Sequence, residues 1–267
     1  MPNKEKIRAA NYNPLGPGYI DDDGTPKPGV HIFAFRELAK RTAVMQHQMG
    51  RRPMLFIHIT NANIVPMFSF GTHILDHEWR DRDPYRTRDF HERVGLDEDT
   101  SLLLTQSTGL QSGCLGVIHN LFHGDERILR SAMAVALTHE MRMGVDGGGI
   151  SNTVRDPLLQ FGYGLPDCRV WRYWDDVSPV TTSGAPVKLL VLARGRKAML
   201  VIGSYGPGGE AVLRADLEAL GVPADVVAVD VETGEILRPS QPGQFSVPIS
   251  RHDFRLLRIE SPNPEGE

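Results

Sequence analysis

The feature that most constrains the fold is a change of pattern near Asp167. Before it, short apolar runs alternate with segments of helical spacing. After it, short β-type runs follow one another, separated by Gly, Pro and Ser. The first pattern is that of parallel strands joined by helical crossovers. The second is that of an antiparallel sandwich. The sequence therefore reads as α/β plus all-β, with an α/β part over 1–166 and a β-sandwich over 167–262. A polar tail over 263–267 is expected to be disordered.

Residues 1–30 carry Asn13-Pro14-Leu15-Gly16-Pro17-Gly18 and Asp21-Asp22-Asp23-Gly24, which is loop chemistry. From His31 to about Met49 the spacing is helical, with Gly50 and Pro53 as stop signals. Arg36, Lys40 and Arg41 fit the solvated side of that helix. Met54 to Ile59 is a continuous apolar run of the kind found in buried parallel strands, and Thr60 to Asn63 is a polar loop. Phe70 to Leu75 reads as a second strand, Arg80 to Glu98 as a charged loop and Asp99 to Gln111 as a helix. Leu115 to Ile118 reads as a third strand and Arg127 to Met141 as the strongest helix, with Gly147-Gly148-Gly149 ending the region. A complete (β/α)8 barrel takes about 250 residues, so residues 1–165 supply at most half of one.

In the second part the expected strands are Val170–Trp174, Val187–Ala193, Ala198–Ser204, Val226–Val231, Phe245–Ile249 and Phe254–Ile259. Ser183-Gly184, Gly206-Pro207-Gly208-Gly209, Thr233-Gly234 and Gln241-Pro242-Gly243 are read as turns, and Leu213 to Leu220 as a short helical excursion.

The net charge of −4 and a pI near 6.2 argue against a nucleic-acid partner. No apolar run approaches the roughly 18–20 residues of a membrane span, so no membrane partner is expected. The first residues, Met-Pro-Asn-Lys-Glu-Lys-Ile-Arg, lack the apolar core of a signal peptide. Taken at face value, with Met1 as the natural start, the chain is expected to be soluble and unexported; its localisation stays open. Cys114 and Cys168 form neither a CxxC pair nor a metal-type Cys/His cluster. The triple Asp lacks the remaining ligand spacing of a calcium loop. The Gly206–Gly209 run lacks the Lys-Ser/Thr of a phosphate loop. No cofactor is expected.

Chemistry concentrates in the run Phe70-Gly71-Thr72-His73-Ile74-Leu75-Asp76-His77-Glu78. It ends in two acids at i and i+2. On a β-strand these positions share a face, with Cα atoms roughly 6.5–7 Å apart. Two acids aimed into one cleft are the minimum equipment for attack on a glycosidic bond; the plainer reading is a strand end meeting water. His58 and Asn61 follow an apolar run at a strand end, where barrel enzymes carry their sites, though His58 also fits a satisfied, partly buried histidine. Trp79 has the apolar face to stack on a sugar ring, or simply to pack. His139-Glu140 has no zinc-type partner and is read as structural. Tyr173-Trp174-Asp175-Asp176 lies at the domain junction, where it could wall the cleft, although aromatic residues there more often join domains.

Several phrases occur in a telling order: Pro28-Gly29, Phe35-Arg36-Glu37, His58-Ile59-Thr60-Asn61, Ser69-Phe70, Leu75-Asp76-His77-Glu78, Phe161-Gly162-Tyr163-Gly164, Tyr173-Trp174-Asp175-Asp176 and Arg251-His252-Asp253-Phe254-Arg255. In that order, from Asn13 to Glu260, the chain resembles uncharacterised bacterial glycoside-hydrolase-like proteins. These are related to barrel enzymes that include β-N-acetylgalactosaminidases. The resemblance implies a (β/α)8 barrel followed by a C-terminal β domain. It also implies that an N-terminal β domain and the first barrel strands precede the segment that begins here at Asn11. This chain then corresponds to the C-terminal portion, a partial barrel with its β domain. A second copy of the chain is one means of completing it.

The same resemblance implies a carbohydrate substrate and a substrate-assisted route. In that route Asp76 orients the acetamido group and Glu78 protonates the leaving oxygen. Such an acid must stay protonated near neutral pH, which burial and a neighbouring carboxylate favour. Two rival readings stand beside this one. One is a non-catalytic carbohydrate-binding or assembly module. The other is a polysaccharide lyase, for which no convincing Tyr or His base with a charge neutraliser stands out.

Overall fold

The computed structural model describes residues 18–27, 29, 31–58, 65–80, 89, 91–92, 96–97, 100, 113–121, 126–143 and 148–262, with backbone alone at 26, 76–80, 119–121 and 148–153. The expected helix over Asp99–Gln111, the Thr60–Asn63 loop, the loop chemistry before residue 18 and the tail beyond 262 lie outside the described residues. So does most of the expected Arg80–Glu98 loop. The chain forms two compact units, Met1–Ile74 and Leu75–Glu267. The expected division at 166/167 lies inside the second.

In the first unit, β1 (Tyr19–Ile20) and β2 (Pro26–Lys27) pair antiparallel. The Asp21–Gly24 run is the turn between them. Gly24 takes φ +80°, a left-handed conformation that costs glycine little. Its N–H donates to Asp21 O at 2.8 Å, and Asp23 accepts from Thr25 N at 2.8 Å. The acids thus serve the turn. α1 (Ile32–Gln48) ends with Gly50 at φ +73°, as its stop signals require. Only Ala39 of this helix is buried; Phe33, Leu38, Val44 and Met45 are exposed. β3 (Phe56–His58) follows, then α2 (Val65–Phe68). β4 (His73–Arg80) begins in this unit, where Thr72 N and His73 N both donate to Leu55 O at 3.0 Å.

In the second unit, β5 (Leu115–Leu121), α3 (Glu126–Thr138) and β6 (Arg142–Met143) make one parallel crossover. Val117 pairs with Arg142 and Ile118 with Met143. α4 (Gly148–Phe161) corrects the reading of Gly147–Gly149 as an end. Two glycines at its start and Pro157 inside it hide the helix from propensity, and burial of Val154 and Leu158 outweighs them. Among the described residues, no helix is long and apolar enough to cross a membrane.

The remaining elements are β7 (Arg169–Arg172), β8 (Val180–Gly184), β9 (Val187–Arg194), β10 (Lys197–Ser204), β11 (Gly209–Ala215), α5 (Leu217–Leu220), β12 (Val227–Asp230), β13 (Ile236–Leu237), β14 (Gln244–Ile249) and β15 (Phe254–Glu260). Six of these strands form an antiparallel sheet in the order β13-β12-β15-β10-β9-β7; β14-β11-β8 form a second. The sequence missed β8 and β11. Ser183-Gly184, read as a turn, closes β8. Leu213 to Ala215, read as the start of a helix, belongs to β11, which pairs with β8 and β14. The helix is only the four residues of α5, capped by the Asp216 side chain accepting from Ala219 N at 3.0 Å.

The parity of β9 and β10 explains the layers. Leu189, Val191 and Ala193, with Leu200 and Ile202 opposite, face the three-stranded sheet and meet Leu213, Phe245 and Val247. Leu190 and Leu192, with Met199 and Val201 opposite, face α3 and α4 and meet Met133, Ala134, Val154 and Leu158. The six-stranded sheet is therefore covered on both sides, which is why its central strands are apolar at nearly every position. α3 lies between this sheet and a second cluster holding Ile118, Ala132, Val135 and Ala136. The unbroken apolar run over 132–137 of the helix suits that position, while Glu126, Arg127 and Arg130 gather in its first turns. Gly203 marks the closest approach: a Cβ there would lie 2.9 Å from Thr138 Cγ2 and 3.2 Å from Ala134 O.

Candidate functional site

β4 runs unbroken from His73 to Arg80, so Asp76 and Glu78 do stand at i and i+2 on a strand, followed by Trp79. The side chains of 76–80 lie outside the described residues. His58 is the last residue of β3 and is exposed; it lies in the first unit. Asn61 lies outside the described residues.

The described polar residues of the second unit converge elsewhere. His252 sits in the turn between β14 and β15 with φ +53°, unusual for a side chain other than glycine. Its Nδ1 lies 2.6 Å from Asp89 Oδ2 and its Nε2 2.8 Å from Asp97 Oδ2. Carboxylates only accept, so both ring nitrogens donate and the ring is an imidazolium. Burial opposes that charge, but the two aspartates outweigh it and raise the pKa of His252. Asp89 is buried, which alone would push its carboxyl up; His252 and the Glu92 backbone N–H more than offset this and lower it. Arg127 approaches Asp89 at 3.1 Å and Arg251 approaches Glu92 at 3.3 Å.

His91 lies flat on His252, ring centroids 4.5 Å apart and planes 9° from parallel, with its edge toward Tyr205 at 4.6 Å. Both its ring nitrogens are buried and, among the described residues, without a hydrogen bond; Nδ1 is 3.6 Å from Asp97 Oδ1. Burial first, then the charge of His252, lowers its pKa to about 4. His91 is neutral beside a charged neighbour.

A directed hydrogen-bond chain lies next to this stack. His139 Nδ1 is 2.9 Å from Val135 O, an acceptor only, so Nδ1 carries the proton and Nε2 accepts from Tyr173 OH at 2.8 Å. The same Tyr173 hydroxyl also reaches Thr100 Oγ1, 3.4 Å away, as a second and longer acceptor of its proton. Lys188 Nζ in turn donates to Thr100 Oγ1 at 3.2 Å and lies 4.2 Å from the Tyr173 ring centroid. Thr138 donates back to Ala134 O at 2.7 Å, so Tyr205 OH donates to Thr138 at 2.9 Å. Burial lowers His139 to about 4. The chain opens into a cleft of about 320 Å³ lined by Leu96, Asp97, Thr100, Pro186, Lys188 and Tyr205. Asp97 is the carboxylate of the histidine stack that reaches this cleft.

Donor atoms of His91, Asp97 and His252 lie within 4.8 Å of one another, as do those of Asp89, Glu92 and His252. The parallel stack separates the two imidazoles as ligands, however. A ligating nitrogen holds its ion in its own ring plane, and these planes do not meet. One ion would therefore take only one of the two rings, and two carboxylates already occupy both nitrogens of His252.

The sequence reading missed this group. Asp89, His91 and Asp97 fell in the stretch taken as a charged loop. His252 entered only as part of a phrase, and its partners stand 163 and 155 residues away, so no local spacing signals them. His139, read as structural, is buried and hydrogen-bonded. Tyr173 and Trp174 pack on it, ring centroids 5.3 and 5.7 Å away.

Neither a protein-family model nor a curated relative matches the sequence. Solved structures do. An Anoxybacillus α-amylase aligns over 88% of this chain and 57% of its own, with 10% identity and a TM-score of 0.50. A Geobacillus stearothermophilus β-L-arabinopyranosidase aligns over 87% and 55%, with 13% identity and a TM-score of 0.49. A protein described as a putative α-N-acetylgalactosaminidase from Bacillus halodurans aligns over 97% and 72%, with 13% identity and a TM-score of 0.41. The fold is distantly glycoside-hydrolase-like. The chain spans a little over half the length of the amylase it aligns with.

Proposed function

We propose that this chain is a carbohydrate-active protein of glycoside-hydrolase type, the α/β part of a barrel carrying its C-terminal β domain. One observation carries the reading: nearly nine-tenths of the chain follows the fold of an α-amylase. The continuity of β4 through Asp76 and Glu78 supports it further, because acids at strand ends are where barrel glycosidases place their chemistry. In this reading Glu78 is the general acid, Asp76 orients the substrate or its acetamido group, and His58, Asn61 and Trp79 contact the glycan. The test is release of reducing sugar from a glycan panel. Glu78→Gln is expected to lower turnover by at least about 100-fold; unchanged turnover removes Glu78 from the role.

A second reading, a non-catalytic binding or assembly module, is favoured by a different observation. Helix α1 leaves Phe33, Leu38, Val44 and Met45 exposed, an apolar face that suits a partner chain or a second copy completing the barrel. Light scattering would then report a dimer, and glycans would bind without turnover.

A further inference from the structure

A cavity of about 230 Å³ lies among α3, α4, β6 and β9. Met133 and Leu137 of α3, Leu158 and Leu159 of α4, Met143 of β6 and Leu190 of β9 form its apolar wall. It shares no residue with Asp76, Glu78 or the cleft at Lys188, so this inference stands apart from the proposed glycan chemistry.

Three charged side chains reach this cavity, and they are not equivalent. Glu140 is neutralised: Arg172 binds its carboxylate and Tyr163 OH donates to it at 2.9 Å. Glu140 holds φ +56°, so its position is fixed by these partners against a backbone preference. Arg155 is paired with Asp156 at 2.9 Å. Arg142 differs. Its guanidinium lies 5.6 Å from the Tyr163 ring centroid, and among the described residues no carboxylate pairs with it. Among the described residues the cavity therefore presents an apolar interior and, at an exposed position, one cation without an acid partner.

An apolar protein cavity of about 150 Å³ holds benzene. One of about 230 Å³ has room for a six-membered ring with a short arm. A guanidinium takes a carboxylate through two parallel hydrogen bonds. We propose that this cavity binds an aromatic carboxylate, its ring against Met133, Leu137 and Leu158 and its carboxylate on Arg142.

The test is a titration of the full chain, labelled at its methionine methyls, with 3-phenylpropionate. The Met133 and Met143 resonances are expected to shift saturably, with a Kd below about 1 mM. Arg142→Gln is expected to weaken the acid at least about tenfold while leaving 3-phenylpropan-1-ol unchanged, which reads the charge separately from the fold. Leu159→Trp, at a position 56% exposed, is expected to weaken both by blocking the mouth. Absence of saturable shifts up to about 10 mM overturns the proposal. So does a preference for the alcohol, or equal weakening of acid and alcohol by Arg142→Gln.

Discussion

Replacing His91 by Phe tests the electrostatics of the stacked pair directly. His91 is buried, stacked on an imidazolium and, among the described residues, without hydrogen bonds at either nitrogen. A buried polar group left unsatisfied costs about 1–3 kcal/mol. Phe keeps a flat ring over His252, and its face attracts a cation. His91→Phe is therefore expected to raise the stability of the second unit by about 1 kcal/mol at pH 7. The acid branch adds a second signature. Unfolded His91 takes its proton near pH 6.5, whereas folded His91 takes it at about 4. As pH falls from 6.5 to 4 the unfolded state holds more protons, so stability falls by about 1.4 kcal/mol per unit for each such histidine. His139, also lowered to about 4, adds the same slope. These two histidines should thus contribute a slope near two protons to the wild-type protein, and His91→Phe should lower the slope by about one. Urea unfolding followed by fluorescence of Trp171 and Trp174, at pH 7.0 and in steps down to 4.5, measures both. A loss of more than about 1 kcal/mol at pH 7, or an unchanged acid slope, would refute the reasoning.

Three further expectations follow from the same geometry. His252→Gln removes the buried cation of Asp89, leaves it only the more exposed Arg127, and should cost about 3 kcal/mol by urea denaturation. Because the folded pKa of His252 is raised, its wild-type contribution is full below about pH 6.5 and lost as pH climbs through the folded value; the variant should lack that alkaline decline. Gly203→Ala drives a methyl against Thr138 and should cost about 1–3 kcal/mol, seen as a lower melting temperature; an unchanged value would mean α3 yields freely. Phe245→Ala, fully buried between the two sheets, should cost about 3–5 kcal/mol in the same assay.

Much of the secondary structure was legible because local chemistry determines it. Gly50 stops α1 and the apolar run ending at Ile259 is β15, close to where the residues placed them. The errors have a common cause. α4 contains Pro157, and β8 carries Thr181, Thr182, Ser183 and Gly184; both are stabilised by what they pack or pair against, which propensity does not record. The Asp76-x-Glu78 spacing and the strand beneath it belong to the sequence alone, since alternation along a strand is a property of the backbone. The sequence also supplied the apolar runs of β9 and β10, but not what covers them. Only the tertiary structure decided that those strands are antiparallel and buried on both faces, between helices and a second sheet. Only it brought Asp89, Asp97 and His91 around His252 and joined His139 to Lys188 through Tyr173 and Thr100. Those contacts join residues far apart along the chain, and their energies depend on burial and on neighbours that no local pattern specifies.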